Sequence, residues 1–257
     1  MPTLRTIRLR IKGTKNIKQI TRAMEAVSAV KMRKSQSVAL AARPYATAAL
    51  NLLKSVQSGA PEGSAVFSPL LEKREVKDTL LVVVTSDKGL AGSFNANVLK
   101  KADAFTRTVT VTVTIATVGK KAGDYFTRRG RTPIVALTGY GDYAEISQVQ
   151  PIFDAVVEAF NAKKADEVYI IYTNFLSAMK QEVVVRKLLP FSEEGLEEMV
   201  KGIVPEKGRF AEHDTNTTNT RANDTNKMAE YLFEPSPKEI LESILPALLK
   251  IQIYHAI

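Results

Sequence analysis

The sequence contains no cysteine, two histidines and no apolar run long enough to cross a membrane. Without cysteine the chain forms no disulfide, has no thiolate nucleophile and carries no thiol redox switch, which fits a reducing compartment. His213 lies in a polar stretch and His255 near the end, and neither has the neighbours expected of a metal ligand. The first residues also lack the apolar core of a signal peptide. These absences argue against a disulfide-stabilised, thiol-dependent or zinc-dependent protein.

The positive charge of the chain is concentrated at its start. The 257 residues carry a formal net charge of +9, and residues 1–56 hold 12 of the 36 Lys and Arg residues but a single acid, Glu25. The remaining residues have a net charge of −2. A basic segment of this kind favours an anionic partner, such as nucleic acid, lipid headgroups or an acidic protein surface. A basic face that is simply solvated is the plainer alternative.

Residues 1–57 form the first predicted domain, a long helix with an apolar seam. Apolar residues alternate at spacings of three and four over five heptads, which is typical of a coiled coil. The seam residues are Ile17, Ile20, Val27, Val38, Ala41, Tyr45, Ala48 and Leu52. Lys31 and Lys34 interrupt the seam with charge, and the apolar row before Gly13 is out of register with it. Such a helix would be on the order of 80 Å long, so its seam needs a partner helix.

Residues 75–233 predict an α/β domain. Strands are predicted at 79–85, 108–119, 132–137, 167–175 and 180–190, and helices at 95–105, 120–130 and 141–162. The last two strands form a hairpin, so the domain is a mixed sheet with helices on its faces. Asp142 and Glu145 have the spacing of a capping box at the start of the third helix. Residues 191–226 change character, and HDTNTTNTRANDTN (213–226) is polar and of low complexity, which predicts a flexible loop region. A short strand follows.

Residues 236–257 predict a C-terminal helix. Ser236 suits the N-cap, Pro237 the first helical position and Glu239 the third. The helix is apolar nearly all round, so we expect partners to cover it. Running antiparallel to the first helix, it would cover the seam from about Leu52 back to the mid-thirties.

The stretch 80–95, LLVVVTSDKGLAGSFN, places a glycine-rich turn after a buried strand, as many phosphate-binding loops do. It lacks the Lys and hydroxyl residue that follow the second glycine of a Walker loop, and it has GxxG instead of GxGxxG. Gly89 and Gly92 are therefore expected to permit a tight turn and a close contact between helix and strand. Asp87 is expected to be a turn residue, with a role in an interaction as the alternative. The residues alone predict a non-catalytic α/β body that carries a projecting basic helix.

Four segments resemble the gamma subunits of F-type ATP synthases, in the order in which that family has them. They are NIKQITRAMEAVSAVKMRKSQ (16–36), ARPYA (42–46), SDKGLAGSFN (86–95) and EPSPKEILESILPALLKIQIYHA (234–256). The resemblance runs from near residue 2 to the last residue. Two positions depart from the family pattern, because Ala91 and Ser93 stand where cysteine and glycine are usual.

The resemblance implies a fold and a function. The terminal helices would form an antiparallel coiled coil, the axle, beside a Rossmann-like α/β domain with a mixed sheet. The axle would turn inside a ring of three alpha and three beta subunits, and the α/β domain would contact the epsilon subunit and the membrane c-ring. Ion flow would drive this rotation and so couple it to ATP synthesis at the beta sites. The chain itself would be non-catalytic, without cofactor or metal, without nucleic acid as a partner and without a transmembrane segment.

The resemblance also assigns residues to these contacts. Met24, Lys31, Arg33 and Lys34 would meet acidic levers of the beta subunits. A structural turn of the rotor body would be formed by Ser86, Asp87, Lys88, Gly89, Leu90, Gly92, Phe94 and Asn95. Family members have a longer C-terminal helix, so most of that helix would be missing from this chain.

The sequence also allows other hypotheses about location and function. An Arg-rich start is also typical of a mitochondrial presequence, but a peripheral place on the cytoplasmic face of a bacterial cell membrane is the expectation that the resemblance favours. The alternative function is a basic helix that binds nucleic acid or a membrane surface. The apolar seam argues against it, because a DNA-binding arm needs no heptads beside its charges. A nucleotide-using α/β enzyme is a third possibility, against which the glycine pattern argues.

Overall fold

The computed structural model describes residues 3–41, 68–140, 145–177, 180–192 and 237–257. The chain divides into two compact units, residues 1–41 and residues 42–257. The first unit is a helix and the second is an α/β body. The predicted short strand after residue 226, and the predicted loop region 191–226 beyond residue 192, lie outside the described residues.

Helix α1, Leu4–Ala41, is the first unit. It contains no proline and a single glycine, Gly13, so nothing in its sequence stops the helix. The predicted seam residues Ile17, Ile20 and Val27 are 62%, 60% and 54% exposed. The helix therefore presents an apolar row to its surroundings, and its pairing in a coiled coil stays a prediction. The last helical turn contains Val38 and Ala41, while Tyr45, Ala48 and Leu52 lie outside the described residues.

The second unit is built on a five-stranded sheet. Its strands are β1 (Asp78–Val84), β2 (Thr112–Val118), β3 (Val135–Leu137), β4 (Glu167–Phe175) and β5 (Gln181–Leu189). They lie in the order β3-β2-β1-β4-β5, and all pairs are parallel except the β4–β5 hairpin. In the centre, Leu81 of β1 stands opposite Ile115 of β2 and Tyr169 of β4. The predicted mixed sheet with a terminal hairpin is confirmed.

Helices cover both faces of this sheet. Helix α2 (Phe94–Thr108) and helix α3 (Lys120–Arg128) contribute to one hydrophobic core, and helix α4 (Gln150–Asn161) contributes to the other. Successive side chains of a strand point to opposite faces, so Leu81 and Val83 of β1 enter the first core while Leu80 and Val82 enter the second. This double burial explains why β1 is continuously apolar and does not alternate.

Helix α4 begins at Gln150, nine residues after the predicted start at residue 141. Glu145 is the N-cap of a short 3-10 turn, Ile146–Val149, which leads into α4. The Glu145 N–H donates to Oε1 of Gln148 at 3.0 Å, and the Gln148 N–H donates to the Glu145 carbonyl at 2.9 Å. Glu145 is thus an N-cap with Gln148 as its partner. The predicted capping box of Asp142 and Glu145 stays a prediction, because Asp142 lies outside the described residues.

Helix α5, Pro237–Ala256, packs into the same core as α4. Leu245, Leu248, Leu249 and Ile253 are fully buried there, and Nζ of Lys250 donates to Oε1 of Gln150 at 2.6 Å. The sheet body is therefore one of the partners that the apolar composition of this helix predicts. The pairing of α5 with the seam of the first helix stays a prediction. None of the helices in the described ranges is long and apolar enough to span a membrane.

Candidate functional site

The loop that follows β1 lies at the point of the fold where doubly wound proteins bind ligands. The chain runs from β1 outward to β2 and β3 on one side, and then returns to place β4 on the other side of β1. Crossovers that leave in opposite directions separate at the carboxyl end of β1, which opens a crevice there. Residues 85–95 occupy this switch point, so their contacts decide what the site can do.

Backbone and hydroxyl contacts join the ends of β1 and β2. The Thr85 N–H donates to the Val118 carbonyl at 2.8 Å. Thr85 Oγ1 accepts from the Ala122 N–H at 2.9 Å and lies 3.2 Å from the Val118 carbonyl oxygen, to which it donates. Between β2 and α3, Gly119 has a φ of +88°, and a β-carbon there would meet the Thr85 carbonyl oxygen at 2.0 Å. The position therefore requires glycine.

The carboxylate of Asp87 joins three loops at this edge. Its Oδ1 accepts from the Lys120 N–H at 2.8 Å, and its Oδ2 accepts from the Gly139 N–H at 2.8 Å. Lys120 is the first residue of α3, where unpaired N–H groups and the helix dipole favour a negative charge. Helix N-termini are common binding sites for phosphate and other anions. Here a side chain of the protein itself supplies the anion.

A second set of contacts closes the loop on itself. The Ser86 N–H donates to Oδ1 of Asn95 at 3.0 Å, and Nδ2 of Asn95 lies 2.8 Å from Oγ of Ser86. The Ser86 hydroxyl also lies 2.6 Å from the Lys88 carbonyl, and the Ser86 carbonyl accepts from the Lys121 N–H at 3.3 Å. Asn95 belongs to the first turn of α2, so these bonds connect the beginning of the loop to the helix that follows it.

The tip of the loop is open to solvent. Leu90 is 94% exposed and has a φ of +64°, a left-handed conformation that is uncommon for leucine. Gly92 also has a positive φ, +57°, a backbone conformation that favours glycine. A β-carbon on Gly89 or Gly92 would meet nothing within 4 Å, so the predicted close contact of helix and strand at these two residues is wrong. Lys88 is exposed, and Phe94 begins α2.

Tyr140 stands next to this cluster. Its hydroxyl is buried and makes no hydrogen bond within the described residues. Burial and, secondarily, the negative charge of Asp87 raise the pKa of Tyr140 to about 12, so the phenol is neutral at ordinary pH. Sequence reasoning missed Tyr140, Thr85 and Gly119. A glycine directly between a strand and a helix is the signal that could have pointed to Gly119.

The second candidate site is the charged turn of α1. Met24, Lys31 and Lys34 follow one another at spacings of seven and three, so the helix brings them onto one stripe. Arg33 lies two positions from Lys31, about 200° around the axis, and so belongs to a different face. Of the four residues predicted to contact the levers, the helix therefore places Met24, Lys31 and Lys34 on one stripe and Arg33 on a different face. Residues 3–41 carry ten basic side chains and one acid, Glu25.

The described residues contain no group of three or more His, Asp or Glu side chains arranged to hold a metal ion. The chemical resources of the two sites are hydrogen bonds, an internal carboxylate and a basic, apolar helix surface. Both sites are suited to forming contacts that hold protein surfaces together.

Comparison with known proteins gives one consistent result. A family model described as ATP synthase matches residues 3–257. The ATP synthase gamma chain of Chloroflexus aurantiacus is 37% identical over the whole chain, which covers 80% of that relative. The gamma chain of Pelotomaculum thermopropionicum is 35% identical with the same coverage. Among solved structures, a chain of the Tetrahymena thermophila mitochondrial ATP synthase central stalk and c-ring shares the fold, with a TM-score of 0.59 and 20% identity over 92% of this chain and 90% of its own. The chain therefore belongs to the ATP synthase gamma chain family.

Proposed function

We propose that this chain is the central-stalk rotor subunit of an F-type ATP synthase. In this role it rotates as an asymmetric axle inside a ring of three alpha and three beta subunits, and so couples ion flow through the membrane c-ring to ATP synthesis at the beta sites. The observation that carries the proposal is the match to gamma chains along the whole length of the chain. The long α1, with its exposed apolar seam and its basic turn, is the physical feature that such an axle needs.

The seam and the charge of α1 have separate tasks in this proposal. Exposed Ile17, Ile20 and Val27 lie at heptad spacings, and burying such a row against a second helix is what stabilises a coiled coil. Lys31 and Lys34 interrupt the row, so the helix offers a cationic turn there. An acidic lever of a beta subunit would be attracted to this turn without an extended apolar contact. A charged contact of this kind can form and break as the axle turns, because exposed ion pairs are individually weak.

The proposed partners of the axle turn are the beta subunits, which Met24, Lys31, Arg33 and Lys34 would contact. Met24 is 47% exposed, and its flexible side chain suits a surface that changes during rotation. The alpha subunits complete the ring, and the epsilon subunit and the c-ring would contact the α/β body. The complex would lie peripherally at the cytoplasmic face of a bacterial cell membrane.

We further propose that the chain is non-catalytic. The support is the start of α3, where the Asp87 carboxylate already occupies a helix N-terminus of the kind that binds anions. The loop Ser86–Asn95 would then be a structural turn of the rotor body. Its side chains are engaged with one another, as the Ser86–Asn95 bonds illustrate.

A second candidate function is binding of nucleic acid or an anionic membrane surface through α1. The ten basic residues against one acid in this helix favour it. The apolar seam favours the rotor, because phosphate contacts require no heptad pattern. The two functions differ in what they predict for the partner: a protein ring in one case, and a salt-dependent polyanion in the other.

Reconstitution with alpha and beta subunits tests the proposal. The double variant Lys31→Glu/Lys34→Glu should lower ATP-driven rotation of the complex a few-fold, since each exposed pair contributes about 0.5 kcal/mol and both are reversed. The matched control is Lys18→Glu/Arg22→Glu, which changes the net charge equally on the opposite face of α1 and should have a smaller effect. A chain that forms no complex with the ring, and instead binds DNA or anionic vesicles with steep salt dependence, would favour the second candidate.

A further inference from the structure

We propose that Asp87 is the positioning residue that makes the loop edge of the α/β body rigid, because its carboxylate holds three loops together. The mechanical part of this inference rests on the proposed function as a rotor. The geometric part concerns the folded chain alone and can be tested separately.

The contacts of Asp87 reach across the sheet edge. Its two carboxylate oxygens accept from N–H groups 33 and 52 residues away, at the start of α3 and after β3. Hydrogen bonds to an ionised acceptor are stronger than bonds between neutral groups. Removing the carboxylate would leave the N–H groups of Lys120 and Gly139 without this acceptor. The Asp87 contacts are thus strong enough to determine how these three loops lie relative to one another.

The neighbouring contacts make Asp87 the outermost of three connections. Thr85 Oγ1 accepts from the Ala122 N–H inside the body, and the Ser86 carbonyl accepts from the Lys121 N–H one residue further out. Asp87 then accepts from the Lys120 N–H. Three successive residues of the first loop therefore meet three successive N–H groups of α3 in antiparallel order. Of these three, Asp87 alone also reaches the loop after β3, through Gly139.

A rotor body has a particular need for such a residue. Loops with few buried apolar contacts open at low free energy, and a body that transmits torque would lose work in their motion. A permanent internal anion removes this freedom. The exposed Leu90 at the loop tip would then keep a fixed direction relative to the sheet.

The absence of cysteine makes the geometry directly measurable. Leu90→Cys at the loop tip and Glu158→Cys on α4 would supply the two thiols of the full chain, and a spin label would be attached to each. Both sites have exposed side chains. Pulsed electron–electron double resonance then gives the distribution of distances between the label at the loop tip and the label on α4, on the opposite face of the sheet. With Asp87 in place we expect a narrow distribution.

The expected result is that Asp87→Ala broadens this distribution about twofold, as a loop freed from its anchor does. Adding acetate should narrow it again, whereas chloride at equal ionic strength should not, because acetate can replace the missing carboxylate. Asp87→Asn keeps the side-chain shape but replaces one acceptor with a donor, and it should also broaden the distribution. The matched control is Asp124→Ala, which removes a carboxylate of α3 that faces Arg128 at 3.8 Å. This control should leave the distribution unchanged.

An unchanged width in both Asp87 variants would overturn the proposal, as would a broadening on which acetate and chloride act equally. If Asp87→Ala fails to fold, the Asn variant decides the question. The mechanical part is measured in the reconstituted complex, as ions pumped per ATP hydrolysed, which should fall for Asp87→Asn and not for Asp124→Ala. If the parent chain forms no complex, the proposed function fails while the distance measurement stands. If the complex forms and the pumping ratio is equal in all variants, the mechanical part alone is wrong.

Discussion

A β-carbon on Gly119 would lie 2.0 Å from the carbonyl oxygen of Thr85, which is a severe steric clash for two non-bonded atoms. The backbone of Gly119 has a φ of +88°, so its conformation and its surroundings both require glycine. This contact brings the first turn of α3 against the end of β1. It places the Lys120 N–H where Asp87 can accept from it.

We expect Gly119→Ala to destabilise the α/β body by about 3 kcal/mol or more, because the clash involves backbone on both sides and cannot be relieved by a rotamer change. The control is Gly130→Ala. Gly130 has a similar φ of +73°, but a β-carbon there meets nothing within 4 Å, so strain alone should cost about 1 kcal/mol. The measurement is the free energy of unfolding in urea. Equal losses in the two variants would show that the close approach to Thr85 contributes nothing.

The hydroxyl of Thr85 is buried and makes two contacts, accepting from the Ala122 N–H and donating to the Val118 carbonyl. Thr85→Val keeps the shape and leaves the Ala122 N–H without its acceptor, which should cost about 1–3 kcal/mol. Thr85→Ser keeps the hydroxyl and should cost less. Hydrogen exchange of the Ala122 amide gives a local readout: it should accelerate in the Val variant and remain slow in the Ser variant. Faster exchange in both would contradict a role for the hydroxyl.

The order of elements was accessible from sequence because each strand has a local signature. The continuous apolar run Leu80–Val84 is typical of a strand buried on both faces, and the structure buries it on both faces. Helix α5 shows the limit of this reasoning. It is apolar nearly all round, so composition predicts that it is covered without saying by what. The structure shows that Leu245 and Leu249 enter the sheet core, whereas no pattern in α5 distinguishes this face from the others.

The candidate site was less predictable, because its partners are backbone groups distant in sequence. The motif around Asp87 predicted a turn, but the donors of Lys120 and Gly139 are N–H groups, which every residue except proline has. Nothing in the identity of these two residues marks them. The glycines near the motif attracted attention, yet the close approach occurs at Gly119, outside it. Chain topology, which brings β1, β2 and β3 to one edge, supplies the missing information.

Three tyrosines of the described residues, Tyr140, Tyr169 and Tyr172, should titrate unusually late, because burial raises the pKa of each. Burial, with a smaller effect of Asp87, raises the pKa of Tyr140 to about 12, and burial together with the Glu167 carboxylate raises the pKa of Tyr169 to about 12. Absorbance at the tyrosinate band should therefore show a component that appears well above pH 10. Tyr140→Phe and Tyr169→Phe should each remove part of it. A single transition near pH 10 for all eight tyrosines would contradict this expectation.

The same shifts predict how stability depends on alkaline pH. The folded chain holds the phenolic protons of Tyr140 and Tyr169 more tightly than the unfolded chain does. Their contribution to stability is therefore fully present below pH 10 and is lost as pH rises through about 12. In Tyr140→Phe, the free energy of unfolding should depend less steeply on pH in this window. An equal slope in parent and variant would show that Tyr140 titrates alike in both states.

Asp166 should control stability at the acidic end. Its Oδ2 accepts from the Lys77 N–H at 2.9 Å and from the Asp78 N–H at 3.1 Å, and Arg74 lies nearby. The Lys77 hydrogen bond foremost, together with the Asp78 bond and the positive charge of Arg74, lowers the pKa of Asp166 below 3.8, against a smaller opposing effect of burial. A lowered folded-state pKa means that the stabilisation is present above the unfolded pKa. It is lost as pH falls below about 4 through the folded value.

Asp166→Asn tests this directly, because it keeps the shape and removes the charge. At neutral pH we expect a loss of about 1–3 kcal/mol, from the two weakened bonds to Lys77 and Asp78. The difference between parent and variant should shrink as pH falls below about 4, since the parent then becomes protonated as well. The control is Asp154→Asn on α4, an exposed carboxylate that accepts from Gln150, and it should change stability little at any pH. If the Asp166 difference stayed constant down to the lowest measurable pH, the loss would come from shape or packing, and the charge of Asp166 would have no part in joining the start of β1 to the start of β4.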